Sequence, residues 1–228
     1  MDNPQSKRKI KIVKDGPYLV SGGVPLKEQI ITPQGDGYIY SEGRPLPQAQ
    51  RYALCRCGRT KNPPFCDGAH AACGFDGSET ASREPYGDRA EVTECDGLDL
   101  YDDGRCAFAR FCHRDSGTAW DLAENSRDEF CREEAVKAAV ECPAGRLEVR
   151  GKDGVPIEPS LEPEIVILQD PSRGASACIA VRGDIELEAS DGHLYEHRNR
   201  MALCRCGRSA NKPFCDAAHI AARFSDSE

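Results

Sequence analysis

The chain has 228 residues, a formal net charge of −8 and few aromatics (7%), with 21 Gly and 15 Pro. Such a composition supports modest cores, and small modules of this kind commonly need a metal or a disulfide to stay folded. A nucleic-acid binder is not implied, because no Lys/Arg stripe is interleaved with aromatics. A membrane span is excluded, since no apolar run approaches the roughly 18 residues required.

Charge is spread unevenly: residues 1–78 carry a net +4, 79–150 a net −8 and 151–228 a net −4. A basic lobe beside an acidic middle suits the docking of modules or of a redox partner. There are 13 Cys, an odd and high count, and the start, MDNPQSKRKIKIVK, is polar and basic with no apolar signal segment. The thiols are therefore expected to act as ligands in a reducing cytoplasm.

From Ile10 the chain predicts short strands: IKIV, PYLV, a Gly22-Gly23 turn and PLKEQII. TPQGDGYIYSEGRPLP follows and predicts a surface loop, by its Gly, Pro and polar content. Then comes CRCGRTKNPPFCDGAH, Cys55 to His70, which returns as CRCGRSANKPFCDAAH, Cys204 to His219. Both copies have C-x-C-x8-C-x3-H spacing, so Cys55, Cys57, Cys66 and His70 correspond to Cys204, Cys206, Cys215 and His219. Three thiolates and an imidazole form a metal-ligand set. Zinc fingers usually pair thiolates as C-x2-4-C, whereas C-x-C places two sulfurs close together, apt for one iron of a [2Fe-2S] unit. Asp67 and Asp216 are expected as N-caps, with Cys and His sharing one face of the following turn. Pro64 and Pro213 stiffen the loops, and Gly58 and Gly207 permit close backbone approach.

These residues resemble the CDGSH iron-sulfur domains, whose pattern is C-x-C-x2-[ST]-x3-P-x-C-D-G-[ST]-H. The first copy matches through Thr60, Pro64, Asp67 and Gly68, with Ala69 in place of Ser or Thr. The second keeps Ser209, Pro213 and Asp216 but has Ala217 for Gly and Ala218 for Ser or Thr. The resemblance implies one [2Fe-2S] cluster on each ligand set. Reduction would add negative charge and draw a proton to the His nitrogen that does not face iron, provided that nitrogen reaches water. Single-motif relatives assemble as dimers, so two motifs in one chain imply a monomer whose repeats pair about an internal pseudo-twofold axis. The repeat exceeds the motif: IKIVKD at 10–15 aligns with IVILQD at 165–170, and SGGVPLKE at 21–28 with VRGDIELE at 181–188.

Residues 79–150 follow another pattern. VTECDGLDLY predicts a hairpin about Asp96-Gly97, leading to Cys106-x5-Cys112. SRDEFCREEAVKAAVECPAGRL predicts a helix with a capping box at Ser126 and Glu129, ending at Cys142-Pro143. This resembles a divergent single-cluster ferredoxin, with Ala109 at the middle Cys position of a C-x2-C-x2-C run. The resemblance carries over Cys106, Cys112 and Cys142 as ligands of a [3Fe-4S] cluster, or of a [4Fe-4S] cluster with an unidentified fourth ligand. Cys131 lies roughly 15 Å from Cys142 along one helix, too far for a cubane, and Cys95 precedes the hairpin turn. Cys73, Cys131 and Cys178 are expected in the core, and His113, His193 and His197 at the surface.

The expected fold class is α+β: two small β-rich modules, 1–78 and 164–228, flank an α+β ferredoxin-like module at 79–150, with a Pro- and Gly-rich linker at 151–163. No nucleotide fingerprint, nucleophile elbow or substrate motif points to a self-contained enzyme. One-electron transfer to a redox partner protein is the expected function. The alternatives are cluster delivery to an apo-acceptor, redox or pH sensing, and a zinc-stapled interaction module.

Overall fold

The computed structural model describes residues 7–226, so the first six residues of the basic start lie outside the described residues. In the first repeat, β1 (Lys9–Ile12), β2 (Tyr18–Ser21), β3 (Leu26–Gln34), β4 (Gly37–Glu42) and β5 (Arg51–Leu54) lead to α1 (Ala69–Ala72). The middle stretch contains α2 (Tyr86–Arg89), β6 (Glu91–Glu94), β7 (Asp99–Asp102), β8 (His113–Arg114), β9 (Gly117–Thr118), α3 (Ala119–Glu124), α4 (Glu129–Val140) and β10 (Leu147–Arg150). The second repeat returns with β11 (Glu164–Asp170), β12 (Ala175–Arg182), β13 (Glu186–Glu188), β14 (Arg200–Leu203) and α5 (Ala218–Ala221). The fold is α+β and strand-rich, with short helices.

Two sheets join the repeats by exchanging a strand. One has the order β13-β1-β2-β5 and the other β14-β12-β11-β3-β4. Strand β13 of the second repeat runs parallel to β1, with Ile10 opposite Leu187, while β3 of the first runs parallel to β11, with Glu28 opposite Ile167. Period-two patterning aims Ile10, Ile12, Tyr18 and Val20 inward. They meet Ile165, Ile179 and Leu187 in one shared core. Each such side chain contributes roughly 1.5–3 kcal/mol by leaving water, and the strand order makes that burial conditional on both repeats being present.

The third sheet, β10-β7-β6, is antiparallel and packs Leu98, Leu100, Leu147 and Val149 against Ala and Leu side chains of α3 and α4. Three sequence expectations change here. The segment expected as a surface loop is the β3–β4 hairpin, turning at Gly35 (φ +59°). Its Tyr40 ring stacks on Phe111 with centroids 4.1 Å apart, an apolar anchor that the polar composition hid. The expected capping box at Ser126 and Glu129 is instead formed by Thr118 and Asp121 on α3, while Asp128 caps α4 by accepting from the Cys131 amide at 3.0 Å. Ser126 is buried and accepts from the Gly97 amide at 3.0 Å. The stretch expected as a linker is pinned to the body: Glu158 binds Asn199 and Arg200, and the Ile157 amide donates to Val149 O at 2.8 Å.

The repeats also meet main chain to main chain at the two glycines inside the motifs. A Cβ added to Gly58 would stand 2.7 Å from Cys206 O, and one added to Gly207 would stand 2.7 Å from Cys57 O. Both glycines have positive φ, +68° and +75°. Gly58→Ala and Gly207→Ala should each destabilise the folded chain by more than the ~1–2 kcal/mol cost of a left-handed alanine, because the contacting atoms are backbone. Urea unfolding of the two variants measures this, with Gly68→Ala as the control at positive φ in open space.

Candidate metal centres

Each motif loop is fastened at both ends before any metal is considered. The Cys55 amide donates to Pro64 O at 2.9 Å and the Cys66 amide to Ala53 O at 2.9 Å; the Cys204 and Cys215 amides repeat this with Pro213 and Ala202 at 2.8 and 2.9 Å. Thr60 and Ser209 donate their hydroxyls to Phe65 O (2.6 Å) and Phe214 O (2.7 Å). Asp67 and Asp216 are not N-caps. The caps are Gly68 and Ala217, both left-handed. Each Asp instead bridges the loop, Asp67 accepting from the amides of Lys61 (2.8 Å) and Ala69 (3.0 Å), and Asp216 from those of Ala210 (2.7 Å) and Ala218 (3.0 Å). Cys66 and Cys215 therefore precede their helices, and only His70 and His219 lie on them.

The donors stand in pairs. Cys55 Sγ and Cys57 Sγ are 3.6 Å apart, and Cys204 Sγ and Cys206 Sγ 3.7 Å. His Nδ1 lies 3.4 Å from the Cys sulfur in both motifs, Cys66 with His70 and Cys215 with His219. With metal-sulfur bonds of about 2.3 Å and metal-nitrogen bonds of about 2.0–2.1 Å, tetrahedral angles require about 3.8 Å between two sulfurs and about 3.6 Å between sulfur and nitrogen. Each observed separation fits two donors on one metal. Among the described residues no group of three or more such donors is close enough to hold a single ion.

The electrostatics agree with that fit. Burial, then the neighbouring Cys55, pushes the Cys57 thiol up to about 12. In the second motif the contact with Cys206 lowers Cys204 to about 6 while Cys206 is driven far up, since two adjacent sulfurs cannot both ionise cheaply. Such crowded thiolates need a counter-charge, which a bound cation supplies. Arg56 and Arg205, between the C-x-C sulfurs, are both buried. Arg56 donates to Val13 O (3.0 Å), Gly16 O (3.3 Å) and Gly77 O (2.7 Å). Arg205 donates to Ala177 O (2.7 Å) and Leu168 O (2.9 Å) and pairs with Asp226. Sequence reasoning passed over both arginines, although the repetition of CRCGR marked them.

The two sites differ in exposure. Cys66 and His70 are half-buried, whereas Cys215 and His219 are 3% and 2% exposed. His219 Nε2 is buried without a hydrogen-bond partner. The condition for proton uptake, a ring nitrogen in reach of water, is therefore not met at His219. The cover over the second site is the middle stretch: Ala107, Ala109 and Phe111 share a buried cluster with Cys215 and Cys178.

Cys106, Cys112 and Cys142 come together at the middle site. Cys112 is pushed up to about 11, first by burial and then by the thiols of Cys142 and Cys106. Phe108 N–H points at Cys106 Sγ at 3.3 Å. Arg146 stands beside this site, held by Asp102 in a two-pronged ion pair of 2.6 Å contacts, and the Cys106 thiol adds to the upward shift that Asp102 gives it. The missing-Cys position, Ala109, is 5% exposed and faces the apolar cluster. Cys95 and Cys131 pack against the separate α3–α4 core. Two buried arginines dock the middle stretch: Arg110 grips Asp170 at 2.6 and 3.0 Å, and Arg200 donates to Ala139 O and Cys142 O at 2.7 Å each. His113, His193 and His197 are exposed, as is Cys73, which was expected in the core; Cys178 is buried.

Comparison with known families fits this geometry. The family model described as iron-binding zinc finger CDGSH type matches residues 15–71 and 177–220. A second model, the divergent 4Fe-4S mono-cluster, matches residues 97–152 between them. No curated protein and no solved structure matched the chain.

Two measurements follow from the packing. Asp170→Asn leaves Arg110 buried without its counter-charge and should cost about 3–5 kcal/mol, read by urea unfolding. Brief treatment of the folded chain with iodoacetamide should label exposed Cys73 and leave Cys178 unmodified until denaturant is added, as peptide mass spectrometry will show.

Proposed function

We propose, from the premise that this chain is a CDGSH-type iron-sulfur protein with a divergent mono-cluster region between its two CDGSH regions, that it is a one-electron carrier. Cys55, Cys57, Cys66 and His70 would hold one [2Fe-2S] cluster, and Cys204, Cys206, Cys215 and His219 a second. Cys106, Cys112 and Cys142 would hold a [3Fe-4S] cluster, the alternative being [4Fe-4S] with a fourth ligand from outside this thiol set. The carrying observation is that the donors of each motif stand in pairs at tetrahedral separations while, among the described residues, no three or more of them are close enough to hold a single ion, which supports two metals per motif over one zinc. The buried apolar face of Ala109 supports the three-thiolate reading of the middle site.

When bound, such clusters accept and release single electrons at potentials set by charge, hydrogen bonds to sulfur and solvent exposure. The residues of this chain set those terms. Arg56 and Arg205 bring buried positive charge into the bodies behind the two motifs, and Arg146 stands beside Cys106 at the middle site. Thr60, Ser209, Asp67 and Asp216 hold the loops so that the donor pairs keep their spacing as charge changes. The chain is read as a carrier and not a self-contained enzyme, acting as a monomer with its repeats paired about an internal pseudo-twofold axis, in a reducing compartment and with a redox protein as partner. Among the described residues no helix is long and apolar enough to cross a membrane. Cluster delivery is the second reading, favoured by the half-buried edge at Cys66 and His70.

Iron and acid-labile sulfide analysis with Mössbauer spectroscopy on anaerobically purified full chain tests the reading. Two [2Fe-2S] components and one three-iron component are expected, and Cys66→Ala or Cys215→Ala should each remove one [2Fe-2S] component. Stoichiometric zinc without sulfide would overturn it. Rapid quantitative transfer of the first cluster to an apo-ferredoxin would favour delivery over carriage.

A further inference from the structure

The three ligand sets are not equally placed, and the differences have an order. The first and middle sets reach the surface, with Cys66, His70, Cys106 and Cys142 all half-buried. The second is enclosed on two sides. On one side its loop touches the first motif's loop main chain to main chain at Gly58 and Gly207, so no side chain is interposed. Tyr18 of the first repeat reinforces that contact by donating to Cys204 O at 2.9 Å and to Pro213 O at 3.0 Å.

On its other side lies the middle site. Cys215 and Cys178 share a buried cluster with Ala109 and Phe111, and Tyr40 packs against it. The Tyr40 ring stacks on Phe111, and its phenol donates to Glu141 O at 3.3 Å, one residue from Cys142. Tyr40, Phe111, Cys178 and Cys215 thus pack in one cluster, which the Tyr40 phenol extends to the residue next to Cys142. The first motif has no counterpart: Tyr18 and Ile179 occupy equivalent strand positions opposite Leu54 and Leu203, so Pro17 stands where Cys178 does.

We propose that the second CDGSH site is an internal relay, receiving an electron from the middle site across Tyr40 and Cys178 and passing it to the first site across the Gly58–Gly207 contact. The inference rests on the carrier reading above. With clusters bound, a one-electron donor protein would supply the electron to the group held by Cys106, Cys112 and Cys142, and a one-electron acceptor protein at the Cys66–His70 edge would take it up. One electron would move at each transfer, and no bond would be made or broken in the chain.

The test uses EPR on the full chain reduced with dithionite, in which a three-iron or four-iron middle centre is paramagnetic. A relay predicts that one [2Fe-2S] signal is split or relaxes fast because of the middle centre. Cys112→Ala, which removes the middle ligand set, should abolish that effect on one [2Fe-2S] component. Cys66→Ala, which removes the first set, should leave it in place. Should Cys112→Ala fail to fold, wild-type protein poised through the middle centre's own couple gives the same readout: the splitting must change with that couple. Three intact centres whose [2Fe-2S] signals are indifferent to the middle centre would overturn the relay while leaving the carrier reading standing. A chain lacking iron and sulfide would instead overturn the carrier reading itself.

Discussion

The backbone contact between the two ligand loops is the constraint on which the arrangement turns. Gly58 lies on Cys206 and Gly207 on Cys57, each where a single methyl group would collide with a carbonyl. Two loops carrying four sulfurs between their first halves are brought together only because strands behind them are exchanged, β3 into one sheet and β13 into the other. The exchanged strands run parallel to their new neighbours, and β11 and β12, lying between other strands, are buried almost throughout. Loop contact, strand exchange and shared core are therefore one cooperative unit.

Positive charge is placed inside this unit with care for its solvation. Among the described residues Arg56 satisfies its guanidinium on backbone carbonyls and not on an acid, so it carries uncompensated positive charge into the first repeat. Arg205 divides its bonds between carbonyls and Asp226, whose carboxyl is raised by burial but lowered more by Arg205 and hydrogen bonds. The near-identical motifs are thus given different net local charge, in addition to their different exposure. Identical ligands in unlike surroundings give centres of unlike potential.

The donor pairs that the fold brings together were legible in the sequence because their spacing is local, set within sixteen residues, and occurs twice. The strand preambles were legible for the same reason: alternation along IKIV and YLVS is a local property. What escaped was non-local or polar. One of the two partners of β1 is β13, far along the chain, and no pattern in IKIV names it. The β3–β4 hairpin was hidden by its Gly, Pro and polar residues, since its stability comes from Tyr40 meeting Phe111. Asp67 and Asp216 have the side chain of a helix cap, but the left-handed residue after each moves the helix start by one position. The buried arginines were overlooked because Arg is ordinarily a surface residue, and only the surrounding carbonyls make burial tolerable.

Strand exchange also bears on how the protein is made. A ribosome delivers the first motif long before β13 and Cys206 exist, so the emerging first repeat has neither its fourth strand nor the loop that Gly58 rests against. Until β11 and β13 have been made, β1 and β3 present unpaired edges, which invite pairing with other chains. The order of manufacture therefore runs against the order of motifs: the first motif translated waits for the second repeat before its surroundings are complete.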